Sequence, residues 1–529
     1  MKTKRMIINF LSDTIPLMIV AVLGIFKLKL FLQVLGDETL GLYQLCQQIM
    51  VYVAIVDGGL NYAVTYALYK PNTENNKVKM NEILSSAKRI FSLIGAIIFG
   101  VAFIASFIAP YLIKDNSFSN GYVSLCFILF SVTSTIEYFF VPYQTLLEVK
   151  ERKYLSNYAI QGGQVVQSII EIGMLLCGFS FISVLIMHSI IKLLSNLIVM
   201  FICKKCYPDA KFNNKKKDYS YLPQVKHLIF NKINGLVGSN IDVLIISKML
   251  GLKFVAIYSA YNYVINMLKT ILGKILTSVS AIIGNILAKD RKKSYVIFEE
   301  MNSMLFYIAT VVCVSLTLAI NGFIDIWYEG EIATSFLIAV SFVGILFLFI
   351  VKICINVFIN ADGLFKETKI CVVTDTIVNL ILSLILVNYF GIAGVLIATC
   401  FSVFVSEYCM KSYVIYKKIF EINPIKYHLN NIKFFVICII DFLISAYIFS
   451  NININNIFVW FVYFIVFTTT NAILIFIIYR RLNEVKFIDR FIRFIPKKII
   501  NLIVKFSKFI EIFIYLIVLV VLGLSIFCN

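Results

Sequence analysis

The chain has 529 residues, of which 60% are hydrophobic and only 15% are charged. Soluble globular domains are about half apolar and about a quarter charged, so this composition excludes a soluble enzyme and an intrinsically disordered chain. The 48 lysines and arginines exceed the 29 aspartates and glutamates by 19, which on a membrane protein indicates basic loops facing an anionic leaflet rather than a nucleic-acid partner.

Apolar runs long enough to cross about 30 Å of hydrocarbon recur along the chain. We predict an all-α polytopic membrane protein with about fourteen spans, which lie near residues 8–32, 40–68, 90–113, 121–146, 157–178, 182–203, 227–250, 255–288, 297–322, 333–360, 370–389, 392–416, 432–450 and 457–479. Residues 484–508 have the basic and apolar pattern of an interfacial amphipathic helix. The apolar run 509–527 would make a fifteenth span.

The loops between these spans alternate in charge. Lysines and arginines cluster at residues 204–217, 289–293 and 480–481, whereas the intervening loops carry acids such as Asp37 and Glu38. Because basic loops are retained in the cytoplasm, this alternation predicts a multi-pass protein of the cytoplasmic membrane whose N-terminus is cytoplasmic.

Two sequence matches indicate an internal repeat. Leu35-Gly36 followed by Gly41-Leu42-Tyr43 matches Leu250-Gly251 followed by Ala256-Ile257-Tyr258 at an offset of 215 residues. The segment 179–186 matches 390–397 at an offset of 211 residues. An even number of spans separates the copies, so the repeat is parallel, which is typical of transporters that work by alternating access between two lobes.

The repeat predicts five parts in the chain. They are an N-terminal lobe of six helices at 1–203, a basic, solvated cytoplasmic linker at 204–226, a C-terminal lobe of six helices at 227–416, helices 13 and 14 at 417–480, and a basic amphipathic segment with a terminal apolar helix at 481–529. The two lobes are expected to be pseudo-symmetric.

These motifs, with Asp57-Gly58-Gly59 in the second span and Gly391-Ile-Ala-Gly394 before the twelfth, resemble those of the polysaccharide-biosynthesis flippase family. This family contains the Wzx-type O-antigen and capsule exporters. It belongs to the superfamily that also includes lipid II flippases and multidrug and toxin extrusion transporters. The resemblance covers roughly residues 5–480. It implies export of an undecaprenyl-diphosphate-linked oligosaccharide in lipopolysaccharide or capsule synthesis, with polysaccharide polymerase and glycosyltransferases as partners and no bond made or broken.

Lysines inside the predicted spans favour an anionic cargo. A lipid diphosphate carries about two negative charges, and positive charge must offset its lost hydration. We therefore predict a cationic cavity between the lobes whose substrate-binding residues are Lys27, Lys192, Lys269, Lys274 and Lys352. Lysines near an interface can instead snorkel to the headgroups. Each buried lysine can also pair with an acid for structural reasons, Lys192 with Glu171 for instance.

Acids inside the spans have two interpretations. Asp57, Asp242 and Glu171 either form ion pairs that set the two transport states or bind a coupling proton or sodium ion. We predict no catalytic residues and no cofactor. We also predict no metal site, because the isolated Cys203-Lys-Lys-Cys206 lacks the further ligands that zinc needs. The alternatives are a proton- or sodium-coupled multidrug or cation antiporter on the same fold, and a membrane glycosyltransferase or polymerase, which would need an aqueous domain.

Overall fold

The computed structural model describes residues 2–53, 60–114, 117–214, 216–222, 241–287, 291–330, 332, 334–364, 366–449, 456–482 and 484. Regular structure in these ranges is helical. The helices before residue 223 are α1 (Lys2–Leu35), α2 (Asp37–Val53), α3 (Leu60–Thr73), α4 (Lys77–Ile108), α5 (Asn120–Ile136), α6 (Val141–Val149), α7 (Lys153–Leu176) and α8 (Phe181–Cys206).

The later helices are α9 (Asp242–Met249), α10 (Leu252–Leu287), α11 (Arg291–Trp327), α12 (Phe336–Asp362), α13 (Lys369–Val403), α14 (Lys411–Ile415), α15 (Ile425–Phe449) and α16 (Ile457–Arg481). Short 3-10 segments, Ala109–Leu112 and Glu137–Phe139, follow α4 and α5. Two π-helical segments, Phe404–Met410 and Tyr416–Phe420, flank α14.

Ten helical segments among the described residues are long and apolar enough to cross a membrane. Several expose an apolar stripe at helical spacing: on α15, Ile432, Val436, Ile439 and Leu443 are all at least 46% exposed. A helix that is apolar on its outer face as well as its inner face is stable in lipid and not in water. These observations confirm the predicted all-α polytopic fold.

Some predicted elements lie partly or wholly beyond the described residues. Residues 54–59 of the span predicted at 40–68 and residues 227–240 of the span predicted at 227–250 lie outside the described ranges, and the fifteenth span at 509–527 lies wholly outside them. Glu484 is the one described residue of the predicted amphipathic segment. The spans predicted at 370–389 and 392–416 are joined in α13 by Gly391, whose φ of 56° breaks the helical path.

The first repeated motif has the same backbone geometry in both copies. Gly36 and Gly251 each connect two helices with a positive φ, 85° and 106°, a conformation that glycine adopts without steric cost. The copies also touch each other: a Cβ added to Gly41 would lie 2.2 Å from the carbonyl oxygen of Leu252. Glycine at position 41 therefore lets α2 approach the start of α10 closely.

Contacts divide the chain into two units. Unit 1 comprises Met1–Met267, Trp327–Ser341 and Ile370–Ser402, and unit 2 comprises Leu268–Ile326, Phe342–Lys369 and Val403–Asn529. Within unit 1, α1 packs along α7, α7 against α8, and α5 against both α4 and α8. Within unit 2, aromatic rings form much of the core: Phe298 packs against Phe358, Tyr416 and Phe420, and Phe306 against Phe434. The division into lobes at 1–203 and 227–416 stays a prediction.

The basic linker is folded onto α4. Helix α8 continues to Cys206, and in the segment that follows Phe212 is 8% and Tyr221 1% exposed, because both pack into the hydrophobic cluster around Leu84. The Ser85 hydroxyl donates to the Lys211 carbonyl at 3.1 Å and accepts from the backbone N–H of Asn214 at 2.8 Å. Lys211 and Lys216 are exposed, while Phe212 and Tyr221 anchor the segment on α4, an attachment that the predicted solvated strap did not include.

The close approach at Gly41 gives a test of the packing. We expect Gly41→Ala to lower the midpoint of thermal unfolding of the detergent-purified protein, because an added methyl group has no room beside the Leu252 carbonyl and overpacking costs about 1–3 kcal/mol. The matched control is Gly100→Ala in α4, where nothing lies within 4 Å of the added Cβ. There alanine's higher helix propensity should leave the midpoint unchanged or slightly higher. Equal midpoints for the two variants would contradict the close approach.

Candidate functional site

Lys27 lies in α1, within the apolar span Ile15–Leu35. Its ammonium is 3.3 Å from Oε2 of Glu171 on α7, and the two side chains are 17% and 0% exposed. His188 on α8 contacts the same carboxylate oxygen through Nε2 at 2.9 Å. A carboxylate only accepts hydrogen bonds, so Nε2 carries the proton in this contact. The packing of α7 between α1 and α8 thus gathers three ionisable groups at membrane depth, which we call the lysine cluster.

Aromatic rings border the lysine cluster. The Lys27 ammonium lies 5.8 Å from the ring centroid of Tyr43, within the range of a cation–π interaction. The Tyr43 ring in turn packs against Phe31 and Phe130, with both centroid separations 5.4 Å. Tyr43 ends the repeated motif Gly41-Leu42-Tyr43, so the aromatic ring that lies beside Lys27 belongs to the repeat.

The second copy of the repeat places an acid at the equivalent position. Asp242 follows Lys27 by 215 residues, and Tyr258 follows Tyr43 by the same number. The Asp242 carboxylate lies 3.5 Å from the Tyr258 hydroxyl and 3.3 Å from Oγ1 of Thr399. Thr399 is itself the counterpart of His188 at the offset of 211 residues. We call this group of residues the aspartate cluster.

The aspartate cluster is buried. Asp242 is 6% and Asn379 2% exposed. The Asn379 amide donates to Oγ1 of Thr399 at 2.9 Å, and the Thr399 hydroxyl lies within hydrogen-bond distance of both the Val395 carbonyl and the Asp242 carboxylate, at 3.1 and 3.3 Å. The described contacts of the Asp242 carboxylate are thus the hydroxyls of Tyr258 and Thr399.

Lys192 forms a different pair from the one offered as an example from the sequence. Its ammonium contacts Oε2 of Glu137 at 2.5 Å, with side chains 21% and 40% exposed. The expected Lys192–Glu171 pair is wrong, because Glu171 is held by Lys27 and His188 instead. Lys29, two residues after Lys27, lies 2.6 Å from the exposed Glu329, so the two neighbouring lysines have separate partners.

In unit 2, two lysines share one acid. Glu407, in the π-helical segment Phe404–Met410, contacts Lys352 at 3.2 Å and also binds Lys411. All three side chains are less than 20% exposed, so this triad has a net charge of +1 when its groups are ionised. Sequence reasoning missed Lys411, although its position four residues after Glu407 places both on one helix face.

Lys269 lies 5.9 Å from the ring centroid of Phe349.

Two predicted site residues lie outside the described part of the chain. These are Asp57 and the side chain of Lys274. Of the other six, Lys27, Glu171 and Asp242 belong to the two related clusters in unit 1.

A family model described as "Polysaccharide biosynthesis protein" matches residues 8–283, just over half of the chain. The chain belongs to this family. The match includes both copies of the first repeated motif, together with Lys27, Glu171 and Asp242. It confirms the resemblance drawn from the motifs.

Solved structures give this family member a known fold. It is similar to the lipid II flippase MurJ in its inward closed conformation, with a TM-score of 0.67 and 18% identity over 89% of this chain and 99% of that one. It is also similar to an inward-facing multidrug resistance MATE family transporter of the MOP superfamily, with a TM-score of 0.61 and 14% identity over 76% and 96% of the two chains.

A third similar structure is the MATE multidrug transporter DinF-BH, with a TM-score of 0.55 and 16% identity over 78% of this chain and 95% of that one. A comparison with curated proteins gave no match. The family member therefore has the fold common to the MurJ and MATE transporters.

The lysine cluster predicts unequal effects for two acid-to-amide substitutions. Glu171→Gln leaves Lys27 without its carboxylate in a buried setting, which typically costs about 3–5 kcal/mol. We expect a clear fall in the unfolding midpoint of the detergent-purified protein. Glu137→Gln removes the acid from a more exposed pair and is expected to cost no more than about 1 kcal/mol. A smaller effect at Glu171 than at Glu137 would contradict the described burial.

Proposed function

We propose that this chain is a flippase that moves an undecaprenyl-diphosphate-linked oligosaccharide, a polysaccharide repeat unit, across the cytoplasmic membrane. The observation that carries the proposal is the similarity to a lipid II flippase over 99% of that chain, in a member of a polysaccharide biosynthesis family. The N-terminus would be cytoplasmic. Glycosyltransferases would build the repeat unit before it is flipped, and a polymerase would act on it afterwards. The protein would make and break no bond.

The lysine cluster supports an anionic headgroup as ligand. Lys27 is buried enough for its charge to act strongly, yet its side chain is 17% exposed. A phosphate oxygen arriving there would compete with Glu171 for the ammonium. The carboxylate would keep a hydrogen bond from His188 at 2.9 Å, so Lys27 can turn to the substrate without leaving an unpaired buried acid. Lysine suits such a temporary ligand because it binds as a point charge without fixed geometry.

Other lysines would add to the positive field. The Lys352–Glu407–Lys411 triad in unit 2 has one more cation than anions. Lys192 and Lys269 contact Glu137 and Phe349, and with Lys274 they complete the proposed set of substrate-binding residues. The diphosphate of the cargo carries about two negative charges, so a surplus of cations favours its transfer through a medium of low polarity.

We propose that the aspartate cluster provides ion coupling. Asp242 occupies the repeat position of Lys27, and its carboxylate lies beside the hydroxyl groups of Tyr258 and Thr399. A proton or sodium ion bound there would neutralise the acid in one transport state. Glu171 and Asp57 would act as gating acids, so that alternating access is biased by which charges are paired.

Cation or drug antiport on the same fold is the second candidate. It is favoured by the likeness to two MATE multidrug transporters. A drug-cation exporter needs acids without competing lysines at its binding site. Glu171 in the lysine cluster and Glu407 in the triad each contact a lysine. This pairing favours an anionic cargo over a cationic drug.

Transport by purified protein in proteoliposomes tests the role of Lys27. The substrate is a polyprenyl-diphosphate sugar with a fluorescent label, and flipping is measured as the fraction protected from a membrane-impermeant quencher. We expect Lys27→Gln to slow flipping at least about tenfold, as expected for a lost charged hydrogen bond. Lys29→Gln on the same helix should keep nearly the full rate, because Lys29 pairs with the exposed Glu329.

The double variant Lys27→Gln/Glu171→Gln separates binding from structure. It removes both charges and so restores the charge balance of the cluster. If Lys27 binds cargo, the double variant stays slow although it folds as stably as the wild type. Recovery of flipping in the double variant would show that the pair is structural. Transport of a cationic dye but not of the lipid would instead establish the antiporter.

A further inference from the structure

A polar cavity of about 290 Å³ lies in unit 1, where the linker is folded onto α4. Its walls include Lys88 and Arg89 from α4 and Asn213, Asn214 and Lys217 from the linker. Among the described residues that line it there is no carboxylate. The cavity therefore combines three cationic side chains with amide donors, which is the composition of a phosphate site. We call it the basic pocket.

Nearby acids do not neutralise the basic pocket. Glu82 contacts Lys79 and Lys216 at 3.8 and 3.4 Å, and Asp218 lies 2.8 Å from Lys79. Partial burial of Asp218 disfavours its charge, but hydrogen bonds from Lys79 and from Ser220 outweigh burial and lower its pKa. These acids are thus already occupied by cations outside the pocket.

The lysines and arginine of the pocket have weaker partners. Lys88 donates to the amide oxygen of Asn213 at 3.1 Å. Arg89 and Lys217 form no ion pair with any carboxylate in the described ranges. Ser85 hydrogen-bonds the linker backbone at Lys211 and at Asn214 itself, which holds the segment that carries the two asparagines. The pocket is therefore preformed rather than a chance meeting of mobile side chains.

The position of the pocket on α4 points to a membrane lipid. Arg89 is the last charged residue before the apolar part of α4. Leu93, Ile97 and Val101 follow Arg89 at intervals of four residues toward the C-terminus of α4, and they are 60%, 44% and 44% exposed. Residues four apart lie on one face of a helix, so an apolar stripe runs directly from the pocket into the hydrocarbon. A phosphate in the pocket would have its acyl chains against this stripe.

We propose that the basic pocket binds the phosphate of an anionic phospholipid. The guanidinium of Arg89 and the ammonium groups of Lys88 and Lys217 bind the phosphate oxygens, and the amide groups of Asn213 and Asn214 supply further donors. The lipid is a structural or regulatory ligand, separate from the cargo proposed for Lys27. It would fasten the linker to α4 at the membrane surface.

Native mass spectrometry of the full chain in detergent tests the site. The protein is titrated with phosphatidylglycerol and, in parallel, with phosphatidylcholine of the same acyl chains. We expect the wild type to bind phosphatidylglycerol in preference, and Arg89→Gln/Lys217→Gln to weaken that binding about 25-fold, since each basic residue near an anionic lipid contributes about fivefold. Both side chains lie at the surface of the pocket, so the variant should elute from a sizing column as the wild type does.

The control variant is Lys204→Gln/Lys205→Gln, which removes the same charge from exposed positions at the end of α8. It should bind phosphatidylglycerol within about twofold of the wild type, as surface charges outside the site act weakly. Equal loss in both double variants, or equal binding of the two lipids by the wild type, would overturn the proposal. Displacement of phosphatidylglycerol by millimolar inorganic phosphate, with thermal stabilisation by phosphate alone, would identify a site for free phosphate and also overturn it.

Discussion

An ion in the hydrocarbon region of a membrane is stable only next to a charge or dipole of opposite sign, and this constraint organises the described interior. Lys27, Glu171 and His188 satisfy it by sharing one carboxylate oxygen. Both the lysine and the imidazole contact Oε2 of the acid.

The repeat explains why unit 1 contains two such centres. Lys27 and Asp242 hold equivalent positions, each beside the tyrosine that ends its copy of the motif. His188 and Thr399 are likewise equivalent, and each binds the acid of its own cluster. The same backbone geometry thus supports opposite charge at the two places.

Backbone contacts at small residues hold the two copies of the repeat together. The missing side chain of Gly41 lets α2 meet the Leu252 carbonyl, and Gly36 and Gly251 make the turns before these segments. In membranes, close helix packing depends on such small residues because lipid provides little hydrophobic force between helices. The linker uses a different solution: Phe212 and Tyr221 are buried against α4 while neighbouring lysines stay outside.

The sequence by itself determined the helical class, many of the apolar helices, the repeated motif and the identity of the ionisable residues within those helices, because apolar runs and sequence offsets are local properties. Only the tertiary structure decided the partners. Glu171 lies 144 residues after Lys27, and which of several acids meets a given lysine depends on how α7 packs along α1. For the same reason the sequence missed the anchoring of the linker on α4, whereas Lys411 was missed although it lies only four residues after Glu407.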